Sequence, residues 1–336
     1  QDASAKAKLN IGDAGKLLKA VNGDVSWENF EQIENVFYVA PSGLDDPTSG
    51  TQLAAPFKTI KYACEHILAN VDTDNVNTTV FVKTGIYQEE LPIKIPRKCA
   101  VVGDELRSTN IQPAAGFEES NMFYVNNGSG LRNCTLQGLS GTLTSPNQYL
   151  TRRTTAGAYV SLDPGTGPDD ASVHIINKSP YVQNVTTFGT GCIGMKIDGA
   201  LHNAGNDSIV ANDFTQVIDD GIGYWATNGG RSELVSVFTY FCHIGYLADD
   251  GGILRATNGN NSYGTYGSVA EGFDVNETPI IGEIDNTSFD AGVVETWTLG
   301  VSEQKFGAIG YDNAGREYTT ASISFSGSGA NAAAVY

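Results

Sequence analysis

The sequence predicts an all-β chain folded as a parallel β-helix, and two features of its pattern indicate this fold. Between residues 219 and 267, short apolar strands recur about every twenty residues, with glycine-rich segments between them. One coil of a solenoid cannot bury its apolar face without a neighbour, so such a period indicates stacked coils. The composition agrees, because 39 glycines and abundant Asn, Ser and Thr are typical of many brief strands joined by turns.

Short motifs that align with one another give the expected register of these coils. They are Asn133–Leu136, Asn184–Thr187, Asn212–Thr215, Leu234–Val237 and Leu254–Thr257, and the last three steps measure 28, 22 and 20 residues. The 51 residues between Asn133 and Asn184 fit two coils with a loop bulging out at 162–171. We expect Ser232–Tyr240 to form one strand and Gly252–Thr257 to form a strand of the next coil.

Two segments have a helical pattern. Ala14–Val21 is one, and Lys58–Ala69 is the other, with its apolar residues on a single stripe. The stripe consists of Ile60, Ala63, Cys64, Ile67 and Leu68. The sequence has no run of eighteen apolar residues, so it predicts no membrane-spanning segment.

The charge and the metal-binding residue types exclude several classes of partner. A net charge of −18 argues against a nucleic-acid partner, because phosphate backbones require local positive charge. The five cysteines are dispersed without a CxxC motif and predict buried thiols, and the four histidines lack metal-ligand spacing. The acidic pairs Asp45–Asp46 and Asp249–Asp250 are not framed by a calcium-loop pattern. We therefore predict no cofactor and no metal site.

The front of the chain resembles a known class of β-helix. From Val36 to Gln112 the order is a strand, an Asp/Gly-rich loop, Pro-Phe-Lys-Thr, a helix and then TVFVKTGIYQEELPIKIPRKCAVVGDELRSTNIQ. This segment resembles the opening of the pectinesterase and pectate-lyase class. The resemblance implies a right-handed, single-stranded, pectin-lyase-like β-helix in which the helix caps the first coil and covers its open strand edges.

The same resemblance carries no catalytic residues. Tyr87 and Glu89 of GIYQE match a structural part of the family pattern, so they are expected to be packing and turn residues. The QD-type, DFIFG-type and LGRPW-type motifs that hold the catalytic residues of pectinesterases are absent from this sequence. The resemblance therefore implies architecture alone.

The chain divides into three expected parts. Residues 1–35 form an N-terminal junction, residues 36–274 form the β-helix, and residues 275–336 form a small C-terminal antiparallel β domain or a junction to a longer chain. The segments Ala291–Leu299, Lys305–Tyr311 and Tyr318–Phe325 alternate in polarity, which is typical of antiparallel strands with one buried face. The first residue, Gln1, and the ending at Tyr336 suggest a piece of a longer polypeptide.

Four residues form a candidate catalytic site. Asp198, the pair Asp219–Asp220 and His243 are spaced so that adjacent coils stack them on one face, and Arg255 follows one coil later. This order is similar to that of polygalacturonase-like hydrolases, and inverting hydrolysis needs one carboxyl as acid and another as base. Against this, Asp-Gly pairs such as Asp198–Gly199 and Asp220–Gly221 are favoured simply as turns. The family's NTD and GHG flanking patterns are also absent, which favours the structural alternative.

Seven aromatic residues between positions 219 and 267 also have two interpretations. They are Tyr224, Trp225, Tyr240, Phe241, Tyr246, Tyr263 and Tyr266. They form either a surface that stacks on sugar rings or rows that pack on one another from coil to coil. The asparagines 258, 260 and 261 are expected to form turn ladders. Packing is favoured for both sets, and exposure decides between the interpretations.

The segment Val210–Phe273 resembles virion structural proteins of tailed phages, particularly contractile-tailed phages of marine cyanobacteria. The resemblance implies a non-enzymatic virion component of the tail, fibre, spike or particle surface, located in the extracellular particle. Its expected partners are other virion proteins and copies of itself as a homo-oligomer, with host surface polysaccharide as a further candidate. The alternative function is that of a tailspike-like glycoside hydrolase acting on that polysaccharide.

Overall fold

The computed structural model describes residues 16–21, 24–29, 35–73, 75–142, 156–165, 178–200, 208–271, 280–285 and 294–299. Almost all regular elements in these ranges are strands, and most of them pair in parallel with strands of the preceding and following coils. The chain is therefore a parallel β-helix, as the sequence predicts.

The coils have three faces, each a stack of parallel strands. The first face contains β3 (Val36–Val39), β4 (Thr78–Val82), β7 (Cys99–Gly103), the N-terminal parts of β10 (Gly130–Ser140), β12 (Tyr181–Thr190) and β14 (Ser208–Asp219), then β16 (Arg231–Val235) and β19 (Ile253–Thr257). The second face contains β5 (Gly85–Glu89), β8 (Thr109–Pro113), the C-terminal parts of β10, β12 and β14, then β17 (Phe238–Tyr240) and β20 (Asn260–Ser262). The third face contains β6 (Ile93–Lys94), β9 (Phe123–Val125), β11 (Ala158–Leu162), β13 (Ile193–Asp198), β15 (Ile222–Thr227), β18 (Ile244–Asp249) and β21 (Tyr266–Glu271).

A helix covers the N-terminal end of this stack. Helix α1 (Ile60–Asn70) packs against β3, β4, β5 and β6, which confirms the predicted helix and its capping position. It buries Ile60, Ala63, Cys64 and Ile67, whereas Leu68 of the predicted stripe is half exposed. The covered strand edges are thereby unable to pair with another chain.

One apolar cluster runs through the interior of the coils. It begins at Phe37 in β3, includes the buried side of α1 and reaches Cys242 in the turn before β18. All five cysteines are buried free thiols, in agreement with their dispersed pattern. Each coil contributes a few residues to this cluster, so each depends on its neighbours for burial.

The coil register differs from the sequence alignment in two ways. Cys134 pairs directly with Val185, which lies 51 residues later, so this step is one coil and not two. The next steps are 29, 23 and 22 residues, as given by the pairs Val185–Phe214, Ala211–Leu234 and Leu234–Ala256. The alignment is thus wrong by one or two residues at each step, because long turns change the period without changing the strands.

The predicted strand Ser232–Tyr240 is two strands. Ser236 has φ 50° and lies between β16 on the first face and β17 on the second. The equivalent bends in β10, β12 and β14 occur at Asn133, Asn184 and Asp213, which also have positive φ. Apolar content alone predicts one strand here, because the bend changes the backbone and leaves the polarity pattern intact.

The predicted helix Ala14–Val21 is wrong. Lys16–Val21 (β1) and Asp24–Asn29 (β2) are antiparallel strands, with Val21 paired to Asp24. The residues between the strands are Asn22 and Gly23, and Asn-Gly is the pair most favoured in two-residue hairpin loops. This turn signal outweighs the short helical periodicity.

Near the C-terminus, β22 (Ile280–Asp285) and β23 (Val294–Leu299) form an antiparallel pair. The second strand falls inside the predicted segment Ala291–Leu299, and its antiparallel pairing agrees with the alternating pattern. The predicted strands Lys305–Tyr311 and Tyr318–Phe325 lie outside the described residues, and the division into three parts stays a prediction. No membrane-spanning helix occurs in the described part of the chain.

Candidate functional site

The structure brings together two of the four predicted site residues. Asp219 ends β14, and Asp220 follows it at φ 50° in the turn from the second face to the third. His243 lies one coil later in the corresponding turn, between β17 and β18. The Nδ1 atom of His243 is 3.8 Å from Oδ1 of Asp220. The predicted acid–histidine neighbourhood therefore exists on this edge of the solenoid.

The two members of this pair differ in exposure. The Asp220 side chain is 55% exposed, whereas the His243 side chain is 4% exposed and packs edge-on against Tyr266 with ring centroids 5.5 Å apart. A distance of 3.8 Å exceeds that of a direct hydrogen bond, so these two atoms are neighbours without a direct hydrogen bond between them. Asp219 is also exposed.

Asp198 lies apart from this turn. It ends β13 on the third face, where its carboxylate accepts hydrogen bonds from Asn228 Nδ2 at 2.8 Å and from the Ala200 amide at 3.1 Å. Lys196 Nζ is 2.9 Å away. Burial raises the pKa of Asp198, but the Asn228 and Lys196 contacts outweigh it and leave the pKa below its ordinary value. The group is a structural carboxylate that stays ionised.

The separation follows from the strand register. Asp198 pairs with Thr227 at the end of β15, whereas Asp220 precedes Ile222 at its start. The five residue steps of β15 place roughly 16 Å between its two ends. The carboxyl groups of inverting hydrolases are at most about 10 Å apart. The structure therefore does not bring Asp198 into one site with Asp220.

Arg255 occupies a third position. It lies in β19 on the first face, and its Nη1 is 3.0 Å from Oε1 of Glu233 on the neighbouring strand. The predicted succession of acid, double acid, histidine and base is thus distributed over separate parts of the coil. Sequence spacing measures the coil period, and it does not measure the position of a residue around the coil.

The outer side of the third face is occupied by a network of its own. Lys196 Nζ lies 4.6 Å from the centre of the Trp225 ring, and Trp225 Nε1 donates to Oδ1 of Asp249 at 2.8 Å. The same side contains a second apolar cluster, which consists of Ala158, Ile193, Ile222, Ile244, Leu247 and Val269, with Trp225 and Tyr266 packed against it. This face is therefore filled by packed side chains.

Two pairs among the seven aromatic residues differ in burial. Tyr224 is buried inside the coils, where its hydroxyl donates to the carbonyl of Phe214, and Tyr246 packs beside it. Phe241 and Tyr263 instead lie on the surface, with rings stacked at 5.7 Å and 22°. The packing interpretation is correct for the first pair, and the coil-to-coil stacking of Phe241 on Tyr263 agrees with it as well, although both of these side chains are exposed. What distinguishes Phe241 and Tyr263 from the first pair is their position in the turn that follows the second face.

The acidic residues near the front of the chain serve to fix helix α1. Oδ1 of Asp45 accepts hydrogen bonds from the amides of Lys58 and Thr59 at 2.8 and 3.0 Å. Glu89 is 1% exposed, and its two carboxylate oxygens accept from the amides of Ile60 and Lys61 at 2.8 and 3.0 Å. Carboxylates are stabilised at a helix N-terminus by these unpaired amides and by the helix dipole.

Tyr87 completes this arrangement. It is buried, and its hydroxyl donates to the Lys83 carbonyl at 2.6 Å. The expected packing role of Tyr87 and Glu89 is thus what the structure shows. In the described ranges, no group of three His, Cys, Asp or Glu side chains is arranged to hold a metal ion.

Comparison with known proteins gives fold relatives of low similarity. No family model and no curated protein matches the chain. Among solved structures, Escherichia coli YbhC is 13% identical over 77% of this chain and 73% of its own, with a TM-score of 0.47. The pectin methylesterase PemA from Erwinia chrysanthemi is 11% identical over 78% of this chain and 85% of its own, with a TM-score of 0.32. ORF18 of Geobacillus virus E2 is 9% identical over 80% of this chain and 70% of its own, with a TM-score of 0.23.

Values this low say nothing about activity, which differs widely among proteins of one fold. The strand pairing itself establishes the architecture. The chain is a parallel β-helix with three faces and an N-terminal capping helix.

Proposed function

We propose that the protein is a non-enzymatic structural component of a tailed-phage virion, in which the β-helix acts as a rigid assembly and host-contact element. The support from sequence is the resemblance of Val210–Phe273 to virion proteins of contractile-tailed cyanophages. This segment contains most of β14 and all of β15 to β21, which are consecutive stacked strands on all three faces. The resemblance therefore concerns whole coils of the solenoid.

The observation that carries the non-enzymatic part of the proposal is the distribution of the acidic residues. Asp198 and Asp220 lie at opposite ends of the third-face strands, and Asp198 is held by Lys196 and Asn228. Asp45 and Glu89 fix helix α1. These carboxylates stabilise turns and the capping helix, as expected in a rigid structural element.

The alternative function, a tailspike-like glycoside hydrolase, has one favourable observation. Asp220 and His243 lie side by side, with Oδ1 of the aspartate 3.8 Å from Nδ1 of the imidazole. A second carboxyl group is present in Asp219, which precedes Asp220 in the chain. Adjacent residues on a turn are a poor match for carboxyls that must flank a glycosidic bond from two sides.

Two measurements test the proposal. Antibodies raised against the chain are expected to label purified particles of the phage that encodes it, and absence of the protein from the particles would refute the virion role. Incubation with cyanobacterial surface polysaccharides is expected to release no new reducing ends. Release by the wild type that is lost in Asp220→Asn would establish the hydrolase instead.

The assembly state is part of the same proposal. An elongated solenoid needs partners or caps at both ends, and copies of the same chain are the simplest partners. We expect a homo-oligomer, which light scattering of the purified chain measures directly.

A further inference from the structure

Phe241 and Tyr263 occupy equivalent positions in successive coils. The Phe241 amide donates to the Ser262 carbonyl at 3.0 Å, so the two turns stack. Both residues have left-handed backbone conformations, with φ 63° and 59°. Large side chains rarely adopt this conformation, because Cβ then lies too close to the carbonyl oxygen.

Burial does not explain why aromatic residues occupy these strained positions. Phe241 is 49% exposed and Tyr263 is 81% exposed. Their rings stack on each other, and the high exposure of Tyr263 leaves its other face open to solvent. Asn, Asp or Gly would fit such a turn with less strain, and several equivalent bends in this chain use them. Strain retained at an exposed position points to function.

Two acidic residues and further apolar side chains lie in the coils next to this aromatic pair. The amide of Asp220 donates to the carbonyl of Phe241 at 3.1 Å, which places the exposed Asp219 and Asp220 beside the stack. The Tyr240 ring lies 6.5 Å from that of Phe241. Phe188, which is exposed, belongs to the same row of the second face as Tyr240. The surface thus combines flat apolar faces with hydrogen-bond acceptors.

We propose that this surface, defined by Phe241, Tyr263, Asp219 and Asp220, binds a neutral pyranose polysaccharide. The C–H face of a sugar ring packs on the open aromatic face, and sugar hydroxyls donate to the two carboxylates. The two carboxylates and the net charge of −18 disfavour a polyanionic glycan. The proposal names the partner for host contact and so rests on the proposed function, although the binding itself is measurable on the isolated chain.

Affinity electrophoresis through gels containing dextran, galactomannan or xylan tests the binding. We expect at least one of these neutral polysaccharides to retard the full chain, and polygalacturonate to have no effect. Tyr263→Ala should weaken the apparent affinity obtained from the retardation about tenfold, as expected for an aromatic group that dominates a contact. Tyr263→Phe should retain it, because the ring face is kept. Ile86→Ala, which removes an exposed apolar side chain at the other end of the solenoid, is the matched control.

Two outcomes would overturn the proposal. One is that none of the three neutral polysaccharides retards the wild type, and the other is equal retardation of the wild type and Tyr263→Ala with both folded by circular dichroism. Either result leaves particle labelling unaffected, so failure of glycan binding is separable from failure of the virion role. If the antibodies label the particles but Phe241 and Tyr263 make no difference to glycan binding, a protein partner on this surface would be favoured.

Discussion

Glu89 is a buried carboxyl group whose two oxygens accept hydrogen bonds from the N-terminus of helix α1. Burial raises its pKa to about 7, while the hydrogen bonds from the amides of Ile60 and Lys61 act in the opposite direction. Asp45 nearby raises the pKa further, and Lys61 lowers it. The folded protein therefore holds a proton on Glu89 at pH values where the unfolded chain has released it.

The stability of the protein should fall as pH rises past this pKa. Because the folded pKa of about 7 exceeds the ordinary value of 4.5, the contribution of Glu89 is complete below pH 4.5 and lost as pH rises through 7. The loss amounts to at most about 3 kcal/mol. In Glu89→Gln, which cannot ionise, the free energy of unfolding in urea should depend less on pH between 5 and 8.

Glu90→Gln is the matched control, since Glu90 is the exposed neighbour of Glu89. It should follow the wild type across the whole pH range. Equal pH dependence in wild type and Glu89→Gln would contradict the assignment. A constant loss of stability in Glu89→Gln is expected in addition, because the amide NH₂ faces a backbone donor at the helix start.

At the scale of single residues, the acidic side chains show what can and what cannot be predicted from the sequence. The sequence identifies Asp220 and His243 as neighbours, because both lie one coil apart in equivalent turns. It cannot place Asp198, because the number of residues between two acids does not reveal which side of a turn each occupies. The contacts of Asp198 with Lys196 and Asn228 arise from adjacent coils, and local sequence does not contain them.

At the scale of elements, the bend between the first and second faces is the most regular feature. It is occupied by Asn133, Asn184, Asp213, Ser236 and Asn258, all at φ between 50° and 57°. The side chains of this row bond to one another: Asn184 Nδ2 donates to Asn133 Oδ1 at 3.1 Å, and Asn258 Nδ2 donates to Ser236 Oγ at 3.1 Å. Asn and Asp tolerate this conformation better than other residues that carry a Cβ.

Ser236 is the member least suited to the row. Ser236→Asn should stabilise the protein by about 0.5–1 kcal/mol, because Asn prefers a left-handed backbone and its Oδ1 can still accept from Asn258. Ser236→Val should destabilise it by about 1–2 kcal/mol, since a β-branched side chain is disfavoured at this φ. Urea unfolding followed by circular dichroism measures both. Similar destabilisation by Asn and Val would show that the φ preference is not what governs this position.

Elements were predicted well where one periodicity dominates and poorly where a turn decides. Helix α1 follows from a clear apolar stripe. The antiparallel pairing of β1 with β2 is indicated only by the two residues Asn22–Gly23, which directly follow a segment that also fits a helix. The bend at Ser236 has no polarity signal, so the segment containing β16 and β17 is predicted as one strand.

At the scale of the molecule, the fold class follows from the repeat even though its register does not. The strands of each coil are short and similar, so a period of about twenty residues predicts a solenoid whichever motifs are aligned. Such an alignment does not show that the 51-residue step from Cys134 to Val185 is a single coil. The reason is that turns of a solenoid accept insertions without disturbing the stack. The capping helix was predictable because the open end of a parallel stack has to be covered.

The five buried cysteines provide a probe of how the solenoid opens. Burial raises the pKa of Cys99 to about 11 and those of Cys192 and Cys242 to about 12, and it also raises the pKa values of Cys64 and Cys134. Thiolates react with iodoacetamide, and thiols do not. At pH 8 without denaturant, we expect none of the five to be alkylated within minutes, whereas all five should react in concentrated urea.

The order of labelling tests whether the coils unfold one after another. In a solenoid each coil contacts only its neighbours, so opening can begin at an end and proceed inwards. Cys242 lies in a turn near the C-terminal end of the described coils, and Cys134 lies in the middle of the stack. Cys242 should therefore become reactive at a lower urea concentration than Cys134, as measured by mass spectrometry of the alkylated peptides. Coincident labelling of both would mean that helix α1 and the continuous core bind the coils into a single cooperative unit.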